Sequence, residues 1–229
     1  MSILKPYRFY PRESIERRAN QILERMQATP NFAPEWPFEA SLAADFLDLG
    51  VVWDYIPPDS EGAIAARILP AQRQIEINEE ILEKPQGFIE STIAHEIGHW
   101  VLHINHDEVD GISRQLELDL GVGDAVPPAS EEPFVCRGTA GYSQIASIEW
   151  QAQYFASCLL MPRYILEEKR AGRDLTKWSH LYKIRDELGV SISNLTNRLQ
   201  EFGWIKIPKG QRQIYPGQAA LDGQQRLFG

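Results

Sequence analysis

Residues 92–103 read Thr92-Ile93-Ala94-His95-Glu96-Ile97-Gly98-His99-Trp100-Val101-Leu102-His103, a His-Glu-x-x-His pattern in a segment with helical spacing. Its apolar residues recur at steps of three and four, at Ile93, Ile97, Trp100, Val101 and Ile104. Helical residues four apart lie roughly 40° apart around the axis, one turn above the other. The imidazoles of His95 and His99 can therefore point at one zinc ion, with Glu96 beside them as general base.

The alternative is an amphipathic helix whose histidines are capped or solvated. Two features favour a metal site. The helix is otherwise apolar, and polar groups on an apolar helix cost stability unless something satisfies them. A suitable third ligand also follows downstream.

A catalytic zinc ion has three protein ligands and an open position. The metzincin pattern is excluded, because it needs a third His where this chain has Asn105. His103 lies a further turn along, roughly 80° away from His95 around the axis, which favours packing or support of a ligand. His106 is expected near the helix end, solvated or capping it.

Glu149 is the third candidate ligand. It begins a second helical run, Glu149-Trp150-Gln151-Ala152-Gln153-Tyr154-Phe155-Ala156-Ser157-Cys158-Leu159-Leu160-Met161-Pro162. A carboxylate beside an apolar face needs a partner, and zinc is a strong one. Spacing alone equally allows a glutamate favoured by the helix dipole.

Two runs of the sequence form a paired motif: His95-Glu96-Ile97-Gly98-His99-x3-His103 and Glu149-x2-Ala152-x2-Phe155-Ala156-x2-Leu159-Leu160-Met161-Pro162. This pair resembles the ImmA/IrrE-type zinc metallo-endopeptidases, and the resemblance covers about residues 35–205. The resemblance implies that His95, His99 and Glu149 bind Zn²⁺ and that Glu96 is the catalytic base. Gln153 departs from the Asn usual in the family. The resemblance also implies a helix-turn-helix repressor as the protein substrate.

The predicted fold is α+β: a zincin-like helical core carrying the His-Glu-x-x-His helix under a small, mostly antiparallel sheet. We expect an N-terminal helix and linker (1–34), a peptidase domain (35–170), a helix-turn-helix-like segment packed on it (171–207) and a tail (208–229). Residues 51–56, 63–69 and 74–78 are the predicted strands. Alternation in 74–78 predicts a half-buried edge strand, to which a substrate peptide could add as a further strand.

A further donor to the reaction's oxyanion is expected, and Tyr142, Tyr154 and His180 are the candidates. Residues 107–135 are acidic and weakly periodic, which predicts an insertion that is a solvated loop, a lid or a recognition loop. Cys136 follows it and is interpreted as a packing residue or, alternatively, a thiol that regulates the site.

Composition predicts a cytoplasmic protein. The 229 residues carry a formal charge of −9 and only two cysteines, and the N-terminus lacks a signal-peptide core. No apolar run is long enough to span a membrane. The acidic charge argues against direct nucleic-acid binding, and Arg198 is the only basic residue in the second helix of the helix-turn-helix-like segment.

The competing hypothesis is a partner-binding module without enzymatic activity, which would inactivate a repressor or pair with a toxin by binding alone. Replacing Glu96 by Gln separates the two hypotheses, since only an enzyme needs the base.

Overall fold

The computed structural model describes residues 3–60, 62–111, 134–135 and 143–218. Its helices are α1 (Arg12–Gln27), α2 (Ala40–Phe46), α3 (Gln86–His103), α4 (Ser143–Leu160), α5 (Arg163–Arg170), α6 (Trp178–Leu188) and α7 (Ile192–Glu201), with a further helical stretch at 106–111. Its strands are β1 (Gly50–Asp54), β2 (Ala66–Leu69), β3 (Gln74–Asn78), β4 (Phe134–Val135), β5 (Ile205–Lys206) and β6 (Tyr215–Pro216). The predicted α+β class is confirmed.

The main sheet has the strand order β1-β3-β2-β4. β1 runs parallel to β3, with Val51 opposite Ile75, whereas β2 is antiparallel to both β3 and β4. β5 and β6 form a separate antiparallel pair. Two of the three pairings in the main sheet are therefore antiparallel, and its outer strands are β1 and β4.

The prediction that residues 74–78 form an edge strand is wrong, because β3 is paired on both sides. Two of its polar residues, Glu76 and Asn78, are buried and have hydrogen-bond partners. Glu76 is bonded to Arg67 of β2, and the Asn78 amide donates to the carbonyls of Ile56 and Ile64 at 2.8 and 2.7 Å. A substrate peptide consequently cannot add to β3.

α3 and α4 lie in close contact at the centre of the molecule. Nearly the whole length of α3 from Ile89 to His103 is buried. At Gly98 the two helices approach so closely that a Cβ atom there would lie 2.9 Å from the Ala152 carbonyl oxygen. The predicted helix containing residues 92–103 is confirmed, and the glycine inside it allows the second helix to pack against it.

α1 packs against α4 through the face predicted from its sequence, formed by Ile15, Ala19, Ile22, Leu23 and Met26. These residues belong to the same hydrophobic cluster as the buried residues of the sheet, α3, α4, α6 and α7. The charged guanidinium of Arg198 on α7 is fully buried and bonds to Glu16 of α1 at 3.0 Å. The first and last long helices are thus joined by an ion pair.

α6 and α7 are separated by Gly189, which has a φ of +66°. Ser191 then caps α7 by accepting a hydrogen bond from the Asn194 amide at 3.0 Å. The N-terminal end of α7 lies beside α3, where Asn194 donates to the Ser91 hydroxyl at 3.3 Å. The helix–glycine–helix segment is therefore packed on the helix that carries the histidines.

Residues 3–10 contact both α3 and α4, and this arrangement was not predicted from the sequence. The Lys5 amide donates to the His103 carbonyl and the Asn105 amide to the Ile3 carbonyl, both at 2.8 Å. The Tyr10 amide donates to the Gln151 side chain at 3.0 Å. None of the helices in the described ranges is long and apolar enough to cross a membrane.

Candidate metal centre

Three predicted residues come together where α3 and α4 cross. His95 and His99 lie one turn apart on α3, and both are buried, with His99 fully inaccessible. Glu149 lies on the second turn of α4 and is partly exposed. One donor atom from each of the three side chains falls within 4.8 Å of the others, and this group could hold a metal ion.

The distances between the donor atoms are near those of a tetrahedral site, although the two oxygens of Glu149 face different histidines. The Nε2 atoms of His95 and His99 are 3.0 Å apart. Glu149 places one oxygen 3.2 Å from His95 Nε2 and the other 3.5 Å from His99 Nε2. Ligand atoms about 2.0–2.2 Å from a tetrahedral zinc ion lie roughly 3.3–3.6 Å from one another. These three residues could therefore hold an ion of this size if the imidazoles separate slightly and the carboxylate turns one oxygen towards both rings.

Burial and mutual contact shift the pKa values of this group. Burial opposes the charged form of His95, but the hydrogen bond to Glu149 and the charges of Glu96 and Glu149 outweigh it and raise the pKa of His95. Burial lowers the pKa of His99 to about 4. Burial opposes ionisation of Glu149, yet hydrogen bonds from both histidines lower its pKa to about 2. Metal binding requires a charged carboxylate and neutral imidazoles. The lowered pKa values of Glu149 and His99 favour these states, whereas the raised pKa of His95 means that this ring must release a proton when a metal binds.

Glu96 follows His95 directly and is completely buried in α3. Its negative charge acts on His95, where it contributes to the raised pKa. A carboxylate that is completely buried within an apolar helix is costly unless it interacts with a charged or polar group. Glu96 thus lies next in sequence to a histidine of the metal-binding group and interacts with it electrostatically.

Two further residues contact the histidines. His103 places its Nδ1 atom 3.1 Å from Nδ1 of His99, on the side of that ring opposite the Glu149 carboxylate. Gln153, one turn beyond Glu149 on α4, is hydrogen-bonded to His95. The helical spacing of His103 left its role open between packing and support of a ligand. Gln153 was distinguished in the sequence only as a departure from the Asn usual in the family, and its contact with His95 was not predicted.

Two of the three candidate oxyanion donors have hydrogen-bond partners in the structure. The Tyr154 hydroxyl accepts a hydrogen bond from Arg198 at 3.2 Å, and His180 accepts from the Asp174 amide at 2.8 Å. Tyr142, Cys136 and most of the 107–135 insertion lie outside the described residues. His106 was predicted to be solvated or to cap the end of α3. It caps α3 through a hydrogen bond of 2.8 Å to the Trp100 carbonyl.

Comparison with known proteins adds little to this geometry. No protein-family model matches the chain, and no curated protein matches it. Among solved structures, a Mycobacterium tuberculosis transcriptional regulator is similar over 83% of this chain and 52% of its own, with 17% identity and a TM-score of 0.47. The chain thus spans about half the length of that protein. A similarity at this level supports no conclusion about the chain.

Proposed function

We propose that the chain is a zinc-dependent endopeptidase. The observation that supports the proposal is the convergence of the His95, His99 and Glu149 donor atoms within 4.8 Å, with the buried carboxylate of Glu96 next in sequence to His95. Two imidazoles and one carboxylate are a ligand set typical of peptidases that use zinc. A structural zinc site, by contrast, usually has four protein ligands and is rich in cysteine.

Zinc bound by these residues would supply Lewis acidity and lower the pKa of a water molecule towards about 7. His95, His99 and Glu149 are assigned as zinc ligands, so Glu96 is the remaining residue that can act as the general acid and base. Its carboxylate accepts the proton of the attacking water as the new C–O bond forms, and returns that proton to the amine as the C–N bond breaks. His95, His99 and Glu149 fix the reacting centre in place by their rigid attachment to α3 and α4.

The proposed substrate is a helix-turn-helix repressor or a similar regulatory protein. This part of the proposal depends on the resemblance of the two motifs to the ImmA/IrrE-type peptidases. The assignment of a peptide bond as the bond that is hydrolysed also belongs to the proposal, and the site does not specify which protein contains that bond.

Glu96→Gln tests the proposal, because it removes the base while leaving the ligands and the side-chain volume in place. Wild-type and E96Q chains loaded with zinc are incubated with a diverse mixture of synthetic peptides, and new termini are identified by mass spectrometry. We expect equal zinc content, cleavage by the wild type and a loss of at least about 10²-fold in E96Q.

Cleavage that survives in E96Q would refute the role of Glu96. A zinc-loaded wild type that cuts no peptide, and also leaves repressor proteins from the same organism intact, would favour the binding module over the enzyme.

A further inference from the structure

The two ring nitrogens of His99 face different neighbours. Nε2 faces the metal-binding group, 3.0 Å from Nε2 of His95. Nδ1 faces His103, whose own Nδ1 lies 3.1 Å away. His99 is fully buried and His103 is 8% exposed, so water does not compete freely for this contact. The separation is that of a normal N–H···N hydrogen bond.

The positions of the protons follow from valence. A histidine that binds a metal through Nε2 carries its proton on Nδ1. The Nδ1–H of His99 therefore donates to Nδ1 of His103, which must be unprotonated at that atom. The proton of His103 consequently lies on its Nε2. Only this pair of tautomers makes both rings compatible with a metal ion at His99 Nε2.

His103 cannot itself be a ligand in this arrangement. It contacts the nitrogen of His99 that points away from Glu149, so the His99 ring stands between His103 and the metal-binding group. Its Nε2 atom is buried and has no hydrogen-bond partner among the residues that the structure describes. The ring lines a cavity of about 60 Å³ together with Lys5, Tyr7 and Ile148. A space of that size has room for a water molecule, which could accept the Nε2–H.

We propose that His103 is a positioning residue that accepts the Nδ1–H of His99, fixes its tautomer and aims its Nε2 lone pair at the metal. The inference rests on the proposed zinc site. Hydrogen-bond acceptors behind metal-bound histidines fix ring orientation and raise ligand basicity. His103 supplies that acceptor from the same helix, one turn further on. The contact accounts for a third buried histidine at a spacing unsuited to ligation.

Asn and Leu at position 103 form a matched pair for testing this role. The Asn Oδ1 atom occupies nearly the position of the imidazole Nδ1 and can accept the same proton. Leu has almost the same shape as Asn but has no hydrogen-bond acceptor. Circular dichroism first verifies that the wild type, His103→Asn and His103→Leu are folded. Competition with a chromophoric chelator at one pH then measures the zinc affinity of each protein.

We expect zinc affinity to fall about 10- to 100-fold in H103L and to be largely restored in H103N. Equal losses in both variants would show that the ring only fills space, and would overturn the inference. So would an H103L variant that binds zinc as tightly as the wild type.

Nuclear magnetic resonance of the wild type tests the same tautomers without any substitution, so it does not depend on whether the variants fold. In a zinc-loaded sample with ¹⁵N-labelled histidine, long-range ¹H–¹⁵N spectra should show protons on Nδ1 of His99 and on Nε2 of His103. A proton on Nδ1 of His103 would refute the inference even if neither variant folds. A wild type that binds no zinc at all would instead refute the proposed function, so the two failures are distinguishable.

Discussion

Replacing Gly98 by Ala tests how closely α3 and α4 must pack to form the site. Gly98 lies on α3 between the two histidines, and the helix it contacts is the one that carries Glu149. A Cβ atom at position 98 would lie 2.9 Å from the Ala152 carbonyl oxygen and 3.0 Å from its Cα. Carbon atoms prefer about 3.5–4.0 Å, so one of the two helix backbones must move.

Two opposing contributions decide the sign of the stability change. Ala is favoured over Gly inside a helix by about 1 kcal/mol. Overpacking a core against a backbone that cannot rotate away costs about 1–3 kcal/mol. We therefore expect the metal-free G98A variant to be less stable than the wild type, by up to about 2 kcal/mol.

The same displacement should weaken metal binding. His95 and His99 move with α3 and Glu149 with α4, so the N–O distances of 3.2 and 3.5 Å change when the helices separate. We expect a rise of about tenfold in the zinc dissociation constant, which corresponds to about 1.4 kcal/mol. Urea denaturation of the metal-free protein and chelator competition on the folded protein measure the two effects separately.

Gly111→Ala is the matched control. Gly111 is the last described residue of the helical stretch at 106–111 and faces open space among the described residues. Only the helix preference should therefore act, and stability should not fall. A G98A variant that gained about 1 kcal/mol and bound zinc normally would refute the close contact between α3 and α4.

Three further predictions concern groups away from the metal-binding residues. Arg198→Met should destabilise the chain by about 3 kcal/mol in urea denaturation, because it leaves Glu16 without its buried partner; a change as small as that of an exposed ion pair would contradict the burial of Arg198. In a Cys136→Ser background, Cys158 should react with a thiol reagent at pH 8 only as the protein opens, because burial raises the pKa of its thiol to about 12; rapid reaction of the folded protein would be inconsistent with this environment. Asn78→Ala should cost at least about 2 kcal/mol in the same denaturation assay, because it removes the donor for two buried carbonyl groups; a neutral effect would mean that water replaces the amide.

The helices that form the site could be predicted because their signals are local. The positions of His95 and His99 on one face follow from their separation of four residues, and the apolar spacing of α3 and α4 follows from helical periodicity. The glycine turn before α7 was visible for the same reason. Each of these features is determined by residues within one or two helical turns.

Other features depend on partners distant in the sequence. Alternation in β3 suggested an exposed edge, but Glu76 and Asn78 are buried because Arg67 and two loop carbonyls satisfy them. Arg198 is buried because Glu16, on the first helix, reaches it. The Tyr154 hydroxyl accepts a hydrogen bond from Arg198, which lies 44 positions further along the chain. No periodicity in the sequence encodes such pairings.

The proposed activity requires the three-ligand metal site, so zinc content is the decisive measurement. Purified wild type, Glu149→Ala and Glu83→Ala are reconstituted with zinc, passed through a desalting column and analysed by elemental mass spectrometry; Glu83 is an exposed residue and serves as the control. We predict about one zinc ion per chain in the wild type and in E83A, and little or none in E149A. An unchanged zinc content in E149A, or no zinc in the wild type, would contradict the assignment of His95, His99 and Glu149 as the metal ligands.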